Sequence, residues 1–166
     1  MTDEKQSDQE NTQEKGASVK FPPPLVFLIV IAIAYGLEKF LNLTVWGVEN
    51  TYIQAASAFL FVAGLIPLVT AAKLFKKQGQ NPKPWLPTPE IIVEGIYSYS
   101  RNPMYLGMAL LQSSIGIYLE SIVAVLTVPF SLLLVFHIAV KNEEIYLESK
   151  FGDSYMRYRS EVRRWI

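Results

Sequence analysis

Two polar groups of residues stand at either end of a long apolar stretch in the second half of the chain. Before it comes Arg101-Asn102-Pro103-Met104-Tyr105-Leu106-Gly107, preceded by Gly95 and Tyr97. After it come Glu143-Glu144, then Phe151-Gly152, Tyr155, Tyr158 and Val162. An arginine, an amide, phenols and paired carboxylates supply donors, acceptors and both signs of charge. If the apolar stretch folds back on itself, the two groups meet at one membrane surface. A site there joins a water-soluble cofactor to a lipid-soluble substrate.

Each group also has a structural explanation. Asn102 and Pro103 suit the N-cap and first position of a helix. Tyr105 fits an interfacial position and Gly107 a packing contact. Arg101 reads equally as a contact to anionic headgroups. Glu143 and Glu144, taken alone, read as solvated charges where a helix leaves the bilayer. His137, about one turn inside the last apolar run, reads as a hydrogen-bonded packing residue before it reads as a base.

The elements that must position these groups follow from hydropathy. Hydrophobic residues make up 51% of the chain, and its formal net charge is zero. The charge is segregated outside four uncharged runs at 21–37, 51–72, 102–119 and 121–140. Their lengths of 17, 22, 18 and 20 residues match the ~17–25 needed to cross a bilayer as a helix. Lipid offers no partner for unpaired backbone groups, and the alternation of a β-barrel is absent. The expected fold is all-α: a polytopic membrane protein with four transmembrane helices and C-terminal amphipathic cytoplasmic helices. Of the 15 basic residues only Lys39 falls in the two loops that four spans place on the far side. Both termini and the site are then expected in the cytoplasm.

Residues 1–20 are polar and read as a disordered cytoplasmic tail, and 21–166 as a single membrane-embedded domain. With no cysteine there is no disulfide and no thiolate nucleophile. Neither a metal nor a nucleic acid is expected as a partner; membrane lipids are. Pro67 permits a kink in the second span, and Trp85 reads as an interfacial anchor. Residues 89–100 look irregular or briefly helical, turning at Gly95. Only Glu120 separates the third run from the fourth, which requires a tight antiparallel turn. The fourth helix is expected to continue to Gly152, and Tyr155, Tyr158 and Val162 to mark one face of a short helix on the membrane surface.

The order Gly-x-Tyr-x-x-x-Arg-Asn-Pro-x-Tyr-x-Gly, a hairpin, Glu-Glu-x-x-Leu and Phe-Gly-x-x-Tyr-x-x-Tyr-x-x-x-Val resembles one family. It is similar to the isoprenylcysteine carboxyl methyltransferases and related phospholipid methyltransferases, membrane enzymes that use S-adenosylmethionine. The resemblance covers residues 95–166. It implies a cofactor wall of Tyr97, Asn102, Pro103, Tyr105, Leu106 and Gly107, with Glu143 and Glu144 opposite. It also implies that Arg101, Glu144 and Arg164 carry the reaction. Asn102 stands where the family most often has histidine, and Ala139 where arginine is common.

An ionised glutamate accepts hydrogen bonds from a ribose diol or an ammonium. Methyl transfer is an in-line displacement, so the protein contributes chiefly alignment. The expected acceptor is an amphipathic, lipid-like or prenylated molecule, methylated on a carboxylate held by Arg101 or Arg164. A phospholipid amine is the alternative, and needs to be neutral to react. Membrane sterol reductases share an Arg-x-Pro-x-Tyr-x-Gly start and use NADPH, but the paired glutamates oppose a 2′-phosphate. A non-enzymatic membrane scaffold is the third alternative.

Overall fold

The computed structural model describes residues 16–43 and 50–166. Among these residues every regular element is helical. Helix α1 spans Pro23–Phe40, started by Pro22 and Pro23, whose fixed φ suits a first turn. Helix α2 spans Asn50–Lys77 and carries Pro67 inside it. The Thr70 hydroxyl donates to the Ile66 carbonyl at 2.7 Å in that turn. A short 3₁₀ turn at Gly95–Ser98 follows, opened by Gly95 at φ 61°. Helix α3 spans Pro103–Tyr118. Helices α4 (Ile122–Leu126) and α5 (Val128–Val135), a π turn at Phe136–Val140 and α6 (Lys141–Phe151) continue one another. Gly152, at φ 50°, separates α6 from α7, Asp153–Glu161.

Among the described residues three helical stretches are long and apolar enough to cross a membrane: Pro23–Phe40, Thr51–Lys77 and the rod Ile122–Phe151. The third apolar run forms α3, whose 16 residues reach only about 24 Å at 1.5 Å per residue. The rod's 30 residues span about 45 Å on the same measure. Its last part, α6, therefore extends past the apolar segment that ends at Val140. The bundle presents large apolar side chains outward, among them Ile33, Phe59, Val62, Leu126 and Phe130. Lipid is the surrounding that such a surface fits.

Small residues bring α2 and α3 together. A Cβ on Gly107 would stand 2.7 Å from the Gly64 carbonyl oxygen, so the backbones touch there. Two turns further, Ser114 donates to the Ser57 carbonyl at 2.9 Å and Ser57 to the Ser114 carbonyl at 3.1 Å. Val26, Phe27 and Val30 of α1 pack against Tyr105 and Ala109 of α3 and Val135 of α5.

The turn between α3 and α4 is as tight as the sequence requires. Glu120 takes a left-handed φ of 54°, and Ser121 N–H bonds the Gly116 carbonyl at 2.8 Å. This is the helix stop that glycine usually makes. Ser121 then caps α4 by accepting from Ala124 N–H at 3.2 Å. Glu38 of α1, buried, accepts from the Ser121 hydroxyl and, at 3.0 Å, from Val123 N–H.

Three expectations need correction. Residues 1–15 of the polar tail lie outside the described residues, but 16–20 are not a free tail. Ala17 and Val19 are buried with the α1 and α3 core, and Ala17 N–H bonds the Pro84 carbonyl at 2.8 Å. Asn102 holds the N-cap position without a side-chain cap; its amide is used elsewhere. The stripe of Tyr155, Tyr158 and Val162 is buried against Ile91, Leu147 and Phe151, so it faces protein.

Candidate active site

The feet of the hairpin converge as the spacing of the two polar groups predicts. A cavity of about 310 Å³ lies between them, lined by Tyr97, Arg101, Asn102 and Tyr105 from one group and Glu143 and Glu144 from the other. That volume is at the small end of the ~300–1,000 Å³ typical of ligand sites. Its other walls include Pro23 and Pro24 of α1, Met104 and Met108 of α3, Phe75 of α2 and the connection around Trp85 and Ile91.

Two arrangements of charge share this space. In the first, Glu144 is gripped from both sides. Arg101 Nη1 reaches its Oε1 at 2.9 Å, and Arg164 donates to both oxygens at 2.8 and 2.9 Å. Arg101 also donates to the Tyr155 hydroxyl at 3.1 Å. Burial pushes the Glu144 carboxyl up, but the Arg164 hydrogen bonds and the charges of Arg101 and Arg164 outweigh it. The net result is a carboxyl held below its ordinary range, and therefore an anion at neutral pH.

In the second arrangement Glu143 has no arginine. Its partner is the Tyr105 hydroxyl, which donates to Oε1. Burial raises the carboxyl most, the Tyr105 bond opposes this, and the negative charge of Glu144 adds to it; the outcome is about 7. Adjacent glutamates thus titrate in separate ranges. Their environments, set by which face of α6 each occupies, make the difference. Tyr97, on the 3₁₀ turn, is likewise raised by burial and by Glu143, which keeps its hydroxyl protonated.

The C-terminal segment locks the first arrangement in place. Arg101 N–H bonds the Arg163 carbonyl at 3.0 Å, and the Asn102 side-chain amide donates to the Arg164 carbonyl at 3.0 Å. The Ser100 hydroxyl adds a second bond to the Arg164 carbonyl at 3.3 Å. The Arg164 guanidinium lies over the Phe136 ring, 4.9 Å from its centre. Asn102 therefore positions Arg164, a use that a neutral amide donor serves without a titratable ring.

Residues 52–154 match the family described as phospholipid methyltransferase. The match spans the α2–α3 pair, the hairpin and the paired glutamates. The chain belongs to the phospholipid methyltransferase family. An uncharacterized protein of Haemophilus influenzae is 41% identical over 63 residues, 38% of this chain and 100% of that protein. The protein-S-isoprenylcysteine O-methyltransferase of Schizosaccharomyces pombe is 36% identical over 72 residues, 43% of this chain. The matched stretch is 30% of the yeast protein's length. The chain is thus a membrane methyltransferase by family, and its three apolar helical stretches agree with an integral membrane protein.

Not all the site residues expected from the sequence line the cavity of this family member. Pro103 and Leu106 point the other way, into a second, apolar hollow with Pro67, Leu110 and Trp165. Gly107 is taken up by its contact with Gly64. Arg164 acts on the cavity through Glu144 and does not line it. His137 is exposed, its Nδ1 2.8 Å from the Leu133 carbonyl, and is not in the cavity wall. Sequence reasoning missed Trp85, Ile91 and Tyr146, which line the cavity. Tyr146 accepts from Thr88 N–H at 3.1 Å and so ties the connection to α6. Its neighbour Glu144 was a signal; the loop residues carried none. Among the described residues no group of metal-ligating side chains is present.

Proposed function

We propose that the protein transfers a methyl group from S-adenosylmethionine to a lipid-like or prenylated amphipathic acceptor at the cytoplasmic membrane face, with carboxyl O-methylation as the reaction. The observation that carries this reading is the single cavity shared by Arg101, Asn102, Tyr105, Glu143 and Glu144 at the hairpin's feet. The family supports a methyltransferase, and a relative named for isoprenylcysteine O-methylation supports the carboxylate acceptor.

The residues fit the proposed donor. Arg101 Nε is buried and has no partner among the described residues, which leaves one cationic N–H for a ligand carboxylate. Glu143 and Glu144 accept from hydroxyl or ammonium groups, and the phenol ring of Tyr97 suits a nearby cation. The bound donor supplies the activated methyl on a sulfonium. This chain's residues align the acceptor: Pro23, Pro24, Met104 and Met108 form an apolar side toward the membrane for its hydrocarbon part. Arg101 holds an acceptor carboxylate, which needs no base. In this reading α3 is the fourth span, both termini face the cytoplasm, residues 21–166 act as one domain, and α6 and α7 lie at the membrane surface.

One observation favours a second acceptor. The Glu143 carboxyl, raised to about 7 beside Tyr105, is poised to take a proton from an ammonium. N-methylation of a phospholipid amine rests on that pair.

Binding of S-adenosylhomocysteine and of NADPH to detergent-purified protein tests the donor. Saturable binding of the first, lost in Glu143→Gln, is the expected result. Glu143→Gln leaves Arg101, Glu144 and Arg164 paired, so its effect is on the ligand. Binding of NADPH alone would replace the reading with a reductase. Labelled-methyl transfer to lipid extract, followed by base hydrolysis, separates esters from methylated amines.

A further inference from the structure

Helix α6 aims its two glutamates at different partners, and the cause lies just before it. At Phe136–Val140 the rod widens into a π turn, in which Lys141 N–H bonds the Phe136 carbonyl, five residues back. Such a turn takes up one extra residue inside an otherwise α-helical rod. Everything beyond it is turned back by about 100°, one residue's share of an α-helical turn.

The faces on either side carry that offset. Ser131 and Val135, one turn apart in α5, are fully buried, Val135 in the core that holds Tyr105. In an unbroken α-helix from Val135, Glu143 would lie about 80° round the axis and Glu144 about 180°, away from the buried face. With the extra residue taken up, Glu143 falls about 20° from the Val135 line and Glu144 about 80°. The contacts match the second set. Glu143 accepts from Tyr105, and Glu144 stands beside it with Arg101 and Arg164. Leu147 and Phe151 stay within about 60° of the same line, and both pack on Tyr155 and Tyr158. An unbroken helix would carry them about 120° and 160° off it.

The wide turn also takes carbonyl groups off the regular ladder, where the membrane offers no water to satisfy them. Asn142 Nδ2 partners one of them, donating to the Ile138 carbonyl at 3.1 Å.

We propose that the π turn sets the register of α6: its one extra residue places Glu143 against Tyr105 and Glu144 between the two arginines. The turn's residues touch no ligand and act on one only through the glutamates. The proposal rests on the nucleoside reading for what the glutamates bind, but not for where they point.

The chain has no cysteine, so Tyr105→Cys with Glu143→Cys makes a pair that a short bis-maleimide bridges in detergent-purified full-length protein. Binding of S-adenosylhomocysteine is measured on the same length variants without the introduced cysteines. Deleting Ile138 removes the extra residue and leaves both glutamates on their faces, so bridging and affinity should stay within about threefold of the parent. An alanine added between Val140 and Lys141 turns both glutamates by about 100°. Bridging should then be lost and affinity should fall about tenfold or more, the loss of a hydrogen bond to a charged group. Making both changes together restores the residue count and should restore both readouts. Bridging lost in a folded Ile138 deletion, or kept in the alanine insertion, overturns the register role. A thermal melt shows whether each variant is folded. Where a single change unfolds the protein, the double one, of the parent's length, decides: recovered bridging supports the register and absent bridging overturns it. If bridging follows the residue count while no variant nor the parent binds the nucleoside, the nucleoside reading fails and the register stands.

Discussion

The protein buries a glutamate at each end of its hairpin, and the two ends differ in what is left over. At the turn, Glu38 is enclosed, accepts from Ser121 and Val123 N–H, and stands at the start of α4. Its Oε2 meets donors of the fold itself, and it lines neither of the two cavities described above. At the feet, among the described residues, Glu143 accepts a hydrogen bond from Tyr105 alone, Glu144 is shared between two arginines and Arg101 Nε has no partner, and a cavity lies between. A buried carboxylate is thus no sign of a site in itself. Unspent hydrogen-bonding capacity facing an open space is the sign.

The strongest way to break the comparison is Glu144→Ala. Removing one partner from a largely buried charge group leaves Arg101 and Arg164 facing each other, at a cost of about 3–5 kcal/mol. A large fall in thermal stability in detergent, with loss of nucleoside binding, is expected. Glu38→Ala should cost about 1–2 kcal/mol, the size of a lost helix cap. Its melting point should drop while methyl transfer per folded molecule stays at the wild-type value. Lost activity with an unchanged melting point would reverse the contrast between the two ends.

A pH titration sharpens the difference between the adjacent glutamates. Glu143 is raised from 4.5 to about 7 in the folded protein. The folded state therefore holds that proton more tightly, and stability falls as pH rises through the window from about 4.5 to 7. Glu144 has the opposite sign, losing its contribution only as pH falls below the ordinary carboxylate range. Melting temperature against pH should show the first trend and lose it in Glu143→Gln. Nucleoside binding, which calls on the Glu143 carboxylate, should tighten from pH 6 to 8 in wild type and be absent across that range in the variant. The smallest effect belongs to His137→Gln. An exposed side chain outside the cavity should change stability by no more than about 0.5 kcal/mol and leave methyl transfer intact.

Much of this layout was legible before any coordinates. The tight turn at Glu120, the stop at Gly152 and the turn at Gly95 follow from local rules, and all three are present. The third apolar run was read as a span from its length, with Asn102 and Pro103 as its start, and its helix is shorter than the run because Asn102 and Leu119 serve as its ends. Residues 16–20 escaped notice because two small apolar side chains among polar ones carry no periodic signal. Trp85 was taken for an anchor because an aromatic beside prolines near an apolar run has that ordinary use.

By itself, the order of residues determined that this is a helical membrane protein whose polar groups gather at the feet of a hairpin. Hydropathy and charge act within each segment, so segment-level reasoning captures them. Only the tertiary structure decided which of the motif's residues serve the cavity. Along α3, Tyr105 faces α6, while Leu106 and Gly107 turn toward the far hollow and α2. A helix rotates its side chains about 100° per residue, so neighbours in a motif face different partners, and where those partners stand is settled by packing.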